Sequence, residues 1–159
     1  MPATYEKLGI RFLYPDNWTL DEQEAIQGNK AVSVHSPGGA FWSIVLHSID
    51  ADPDELAAAA LAALKTEYED SEAEPVSEQI GRQTISGYDL SFFYLDFTNT
   101  ALIRGFRTAT ASCLVLCQAE DREFEKLHAV FRAMTASFLN NLKPPKSWDP
   151  WRSERNGPE

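Results

Sequence analysis

The alternation of apolar and polar positions sets the reading of the chain. Leu8, Ile10 and Phe12 alternate with Lys7 and Arg11, which predicts a half-buried strand. It stops at Tyr14-Pro15-Asp16-Asn17-Trp18, where proline pre-sets a turn. Residues 19–27 read as a polar strand. Residues 31–36 and 41–49 are two β-rich runs joined by Pro37-Gly38-Gly39-Ala40, the signature of a hairpin. In the register that pairs Ser36 with Phe41, His35 faces Trp42. Residues 76–85 and 88–98 read as a second hairpin turned by Ser86-Gly87, after an acidic connection over residues 69–75. Phe92 and Tyr94 fall on one face of its second strand and Phe93 and Phe97 on the other. A strand apolar on both sides is expected to be central and covered on both sides. Residues 102–108 and 113–119 complete the strands.

Two stretches switch to helical periodicity. Asp52-Pro53-Asp54-Glu55 starts the first, with Asp52 as N-cap, Pro53 at the first position and Glu55 placed to close a capping box. Leu56, Ala60, Leu61, Leu64 and Tyr68 form its apolar face. In the second, Glu120, Asp121 and Glu123 complement the dipole of the first turn. Phe124, Leu127, Phe131, Met134 and Phe138 form its stripe. This helix is expected to end near Phe138, ahead of Asn140, Asn141 and Pro144-Pro145. Hairpins joined in sequence, with two helices to cover them, make an α+β domain with a mainly antiparallel sheet.

At 159 residues and 43% hydrophobic, the chain is long enough for one domain with a full core. We divide it into a domain over residues 1–142 and a proline-containing tail over 143–159 that carries Trp148 and Trp151. Tryptophans outside a regular element are interface anchors or fold back on their own domain. Formal charge is −10 and is concentrated: residues 50 to 78 hold ten acids and one base, giving −9. That balance argues against a phosphate-neutralising nucleic-acid binder and against an anionic membrane surface. A charge of one sign in one place can instead steer a basic partner, or simply keep a helix and loop solvated.

Candidate chemistry is sparse. Cys113 and Cys117 on one strand are about 13 Å apart, beyond the reach of a disulfide, and read as buried thiols of a reducing, cytoplasmic protein. The N-terminal residues hold no apolar signal core, and no stretch has the length of a membrane helix. His35, His47 and His128 match no metal-ligand spacing, and no nucleophile elbow, phosphate loop or zinc-protease motif occurs. Asp89 and Asp96 are seven positions apart. No catalytic residue, metal or cofactor is assigned.

Phe12-x-Tyr14-Pro15-x-x-Trp18, a hairpin, an alanine-rich helix, an aromatic hairpin and a closing helix that ends in Ser137-Phe138 resemble the PsbP-like superfamily over roughly residues 5–138. The resemblance implies a three-layer sandwich with helices on both faces of an antiparallel sheet. It also implies a non-enzymatic adaptor, chaperone or assembly role, and it transfers no functional residue, because the shared motif is a turn. The expected function is therefore protein binding, with a basic partner recruited through Glu67, Glu69, Asp70 and Glu72 and through Trp148 and Trp151. The alternative is a small-molecule-binding or enzymatic domain with a pocket between a helix and the aromatic sheet. A pocket in which two or more polar side chains converge would favour it.

Overall fold

The computed structural model describes residues 2–24 and 30–140, with the side chains of Gln23 and Glu24 left out. Elements run β1 (Pro2–Lys7), β2 (Ile10–Pro15), β3 (Thr19–Glu24), β4 (Lys30–His35), β5 (Phe41–His47), α1 (Pro53–Glu67), β6 (Ser71–Ile80), β7 (Gln83–Tyr94), β8 (Phe97–Arg107), β9 (Ser112–Glu120) and α2 (Asp121–Asn140). The tail boundary after residue 142, Trp148 and Trp151 lie outside the described residues. No helix among the described residues is long and apolar enough to cross a membrane.

Seven strands form one antiparallel sheet in the order β3-β4-β5-β9-β8-β7-β6, and β1 and β2 form a separate ribbon. Helix α1 packs on β7, β8 and β9, while α2 packs on β2, β9 and β8. Each helix has its own core. Ala57 and Leu64 of α1 meet Leu90, Phe92, Ala101 and Ile103. On the other face, Phe131, Met134 and Phe138 of α2 meet Phe12, Trp42, Phe106, Val115 and Cys117. Two helical layers around one sheet make the α+β, three-layer sandwich that the hairpin pattern and the resemblance imply.

Several local features follow the sequence closely. The Tyr14-Pro15 turn closes through a Trp18 N–H donating to the Pro15 carbonyl at 3.0 Å. Trp18 is buried, edge-on to Phe131 with ring centroids 6.0 Å apart. Asp52 caps α1 by accepting from the Asp54 N–H at 2.9 Å, ahead of Pro53. Cys113 and Cys117 are buried, unpaired thiols on β9.

Several expectations are corrected. Residues 7–12 are not one strand: Leu8 and Gly9 have positive φ, so the chain turns there and β1 pairs back on β2. In the β4–β5 hairpin His35 pairs with Phe41 and Val34 with Trp42, one position from the expected register. That shift buries Val34 with Trp42, both fully inaccessible. Residues 71–75 of the expected acidic connection belong to β6, and the chain reverses at Gly81, not at Ser86-Gly87. Gly87 sits inside β7, where a Cβ would strike the backbone carbonyl of Ile103 on β8. It is an interior glycine of close approach, not a turn glycine. Helix α2 continues two residues past Phe138, to Asn140.

Candidate functional site

A further correction locates the site. β7 lies between β6 and β8, as its apolar pattern implies, but it is not covered on both sides to its end. Leu95 and Asp96, both at positive φ, turn the β7–β8 hairpin. Phe93, Tyr94, Leu95 and Phe97 are 61%, 50%, 73% and 47% exposed. Four large apolar side chains are exposed at one tip, Tyr94 on the α1 face and Phe93 on the other, and such a concentration marks an interaction surface. Phe92, by contrast, points to the α1 face and is stacked on Tyr68 at 4.1 Å. Tyr68 also meets Tyr94 edge-on at 5.6 Å, which fixes the base of the patch. Burial, with the nearby Glu67 charge, raises the Tyr68 pKa. Arg122 lies over the Phe97 ring, 5.0 Å from its centroid.

The sequence-predicted acids border this tip. Glu67 ends α1, Glu69 and Asp70 link α1 to β6, and Glu72 is on β6; all four are exposed. The Phe93 N–H donates to the Asp70 carbonyl at 3.4 Å, which ties the acidic link to the hairpin. Glu69, Asp70, Glu72, Ser91, Phe93 and Thr98 line an open hollow of about 490 Å³. The structure thus joins the acids to an apolar patch that the sequence reading placed in the core. The missed signal is Leu95-Asp96, a two-residue hairpin loop without the usual glycine.

A second cleft, of about 310 Å³, opens between α2 and the sheet, where the alternative reading expected a pocket. Its centre is Arg104, buried on β8 and absent from the sequence-based candidates. Arg104 Nε donates to Glu78 at 3.1 Å, and Nη1 donates to the Tyr88 and Ile103 carbonyls at 3.2 and 3.0 Å. Nη2 lies 2.8 Å from Asp89 Oδ1. Arg132 of α2 donates to the other Glu78 oxygen at 2.7 Å. Burial alone would raise the Glu78 pKa, but hydrogen bonds from both arginines, with their charge, hold it below the usual 4.5. Polar side chains do converge here, yet they converge on one another. The arginine joins β6, β7 and β8 and is itself neutralised.

The remaining candidates do not assemble a reaction centre. Burial pushes the Cys113 thiol up to about 12 and raises Cys117 further, so neither supplies a thiolate near neutral pH. His35 and His47 are on β4 and β5, and His128 stands beside Phe124 on α2, ring centroids 6.0 Å apart. Among the described residues no three His, Cys, Asp or Glu side chains form a metal-holding group.

No protein-family model matches the chain, and no curated protein matches it in sequence. Solved structures do. The solution structure of cyanobacterial PsbP (CyanoP) from Synechocystis sp. PCC 6803 superposes with a TM-score of 0.61 over 86% of this chain and 90% of that one, at 12% identity. This chain has the PsbP-like fold. Two further structures are similar: LpqN of Mycobacterium tuberculosis, described as involved in cell envelope biogenesis, and PA94 of Pseudomonas aeruginosa, a protein of unknown function. LpqN has 17% identity and a TM-score of 0.47 over 84% of this chain and 86% of its own. PA94 has 11% identity and a TM-score of 0.48 over 91% and 97%. At 12% identity the fold is what this chain shares with CyanoP.

Proposed function

We propose that this PsbP-like domain acts by binding a basic protein partner, without catalysis, through the β7–β8 tip and the acids beside it. The observation that carries the reading is the exposure of Phe93, Tyr94, Leu95 and Phe97 on one hairpin. Fully burying such a side chain contributes roughly 1.5–3 kcal/mol, of which about half to three-quarters is still to be gained here, so a partner that covers all four gains most of its affinity there. The carboxylates of Glu67, Glu69, Asp70 and Glu72 supply steering and orientation, and they favour a partner rich in lysine and arginine. Trp148 and Trp151 belong to the same proposal as a second arm. A cytoplasmic setting completes it, on the unpaired thiols of Cys113 and Cys117.

The test separates the two contributions. Capture of partner from native-cell extract is compared for the wild type, for Phe93→Ser with Leu95→Ser, and for Glu67→Gln, Glu69→Gln, Asp70→Asn and Glu72→Gln together. The serine pair should lose the captured protein at every salt concentration. The neutralised variant should match wild type above 300 mM salt and fall below it near 50 mM, where screening is weak. Capture indifferent to the serine pair removes the tip from the reading.

A further inference from the structure

The acids at the tip and the Arg104 cleft are two ends of one trough. Helix α2 packs on β2, β9 and β8, and the same face of β6 and β7 extends beyond it. Strand alternation puts Asp89, Ser91 and Phe93 on that face of β7. Their partners are Glu74, Glu72 and the link-side end of β6 on one side, and Leu102, Thr100 and Thr98 of β8 on the other. Glu72, Glu74, Ser91, Phe93 and Thr98 are exposed along this line. The 310 Å³ cleft, with Asp89 and Leu102 in its wall, lies at one end, and the 490 Å³ hollow, with Phe93, at the other.

The charges along the trough are placed against the stability of the free protein. Glu74 pairs directly with Asp89 across β6 and β7, and like charges directly opposite are destabilising. Arg104 offsets part of this from below, but most of its donors are taken by Glu78 and two carbonyls. Arg104 Nη2 pairs with the buried Asp89 Oδ1 at 2.8 Å, while the Asp89 side chain as a whole stays 42% exposed. An N–H donor that enters from the trough would meet the exposed side of the Asp89 carboxylate and the Glu74 carboxylate together. The hydrocarbon stem of such a group would lie on Leu102 and Phe124, which line the same cleft. Glu72 and Glu74 repel an anion along the route.

We infer that the trough receives an extended segment of the partner, with a lysine or arginine side chain in the Asp89 end and a large apolar side chain against Phe93. This inference rests on the protein-binding reading above and specifies its partner. Asp89 and Phe93 are four strand positions apart, about 13 Å, so the cationic and apolar residues of the segment are four positions apart as well.

The probe is an acetylated, amidated pentapeptide with arginine first, leucine fifth and three threonines between, titrated into the ¹⁵N-labelled full chain. Amide shifts of Asp89, Ser91 and Phe93 should saturate together at 150 mM salt. Glutamine in place of the arginine, or leucine moved next to it, should weaken binding at least about tenfold. Asp89→Asn should do the same to the parent peptide, and Glu74→Gln, at an exposed position outside the Arg104 network, should weaken it in the same direction if Asp89→Asn fails to fold. Shifts confined to the hairpin tip, unmoved by both variants, overturn the trough and leave the protein-binding reading of the tip standing. Acetyl-arginine amide bound as tightly as the pentapeptide overturns the partner segment in favour of a small amine. Shifts that spread over Glu67 to Glu72 without saturating reduce the trough to diffuse attraction.

Discussion

Leu95 has φ 53° and is 73% exposed, so its backbone and its side chain are both unfavourably placed. A left-handed conformation costs a non-glycine residue roughly 1–2 kcal/mol, and asparagine tolerates it better. Leu95→Asn is therefore expected to stabilise the fold by about 1 kcal/mol in urea unfolding, while it weakens partner capture. A loss of stability would show that the leucine serves the fold. Trp18 gives the opposite case. It is buried against Phe131, and Trp18→Ala should cost about 3–5 kcal/mol through the cavity it leaves; a loss below about 1 kcal/mol would place the ring outside the core. The Trp18 environment was legible in the sequence, because a Tyr-Pro turn followed by tryptophan says which way the ring must point. The Leu95 environment was not: a leucine among four aromatics reads as core unless the turn beneath it is known.

Strands β6, β7 and β8 show how an element is misread. Pro75, flanked by Glu72, Glu74 and Glu78, has the composition of a loop, yet it lies in an edge strand, where proline and charge protect an unpaired backbone. Ser86-Gly87 has the composition of a turn, yet Gly87 is needed for close approach between β7 and β8. Gly87→Ala would drive a methyl into the Ile103 carbonyl. We expect a loss of about 1–3 kcal/mol by overpacking, with faster hydrogen exchange in β7 and β8 as the marker; exchange unchanged there would contradict the close packing. Helices were easier to read. Asp52-Pro53 and the Phe131, Met134, Phe138 stripe satisfy local rules that tertiary packing does not override. Arg104 was the hardest residue to anticipate, since a single arginine in a strand says nothing of Glu78 and Asp89 converging on it from two other strands, or of Arg132 on α2 sharing Glu78.

For the whole molecule, the Arg104 network links the long hairpins to α2 and gives stability a pH dependence. The folded pKa of Glu78 lies below 4.5, so its contribution is complete above that pH and is lost as pH falls through the lower folded value. Urea unfolding from pH 7 to pH 2 should show Glu78→Gln less stable than wild type at neutrality, with the gap closing toward the acid end. A gap independent of pH would mean that the carboxylate charge is not what the arginines hold. The antiparallel sheet and its two covering helices follow from periodicity, and the three-layer sandwich with helices on both faces from the PsbP-like resemblance. The binding surface follows from neither, because it depends on which side chains of the β7–β8 tip the helices leave exposed. That exposure supports the central claim, which a photocrosslinking amino acid at position 95 tests most directly, with position 83 at the opposite end of β7 as control. In native-cell extract, position 95 should yield one discrete adduct that weakens when Glu69, Asp70 and Glu72 are neutralised at low salt, and position 83 should yield none. The same adduct from both positions, or one from position 95 that is indifferent to those charges, would contradict binding through the acidic, apolar tip.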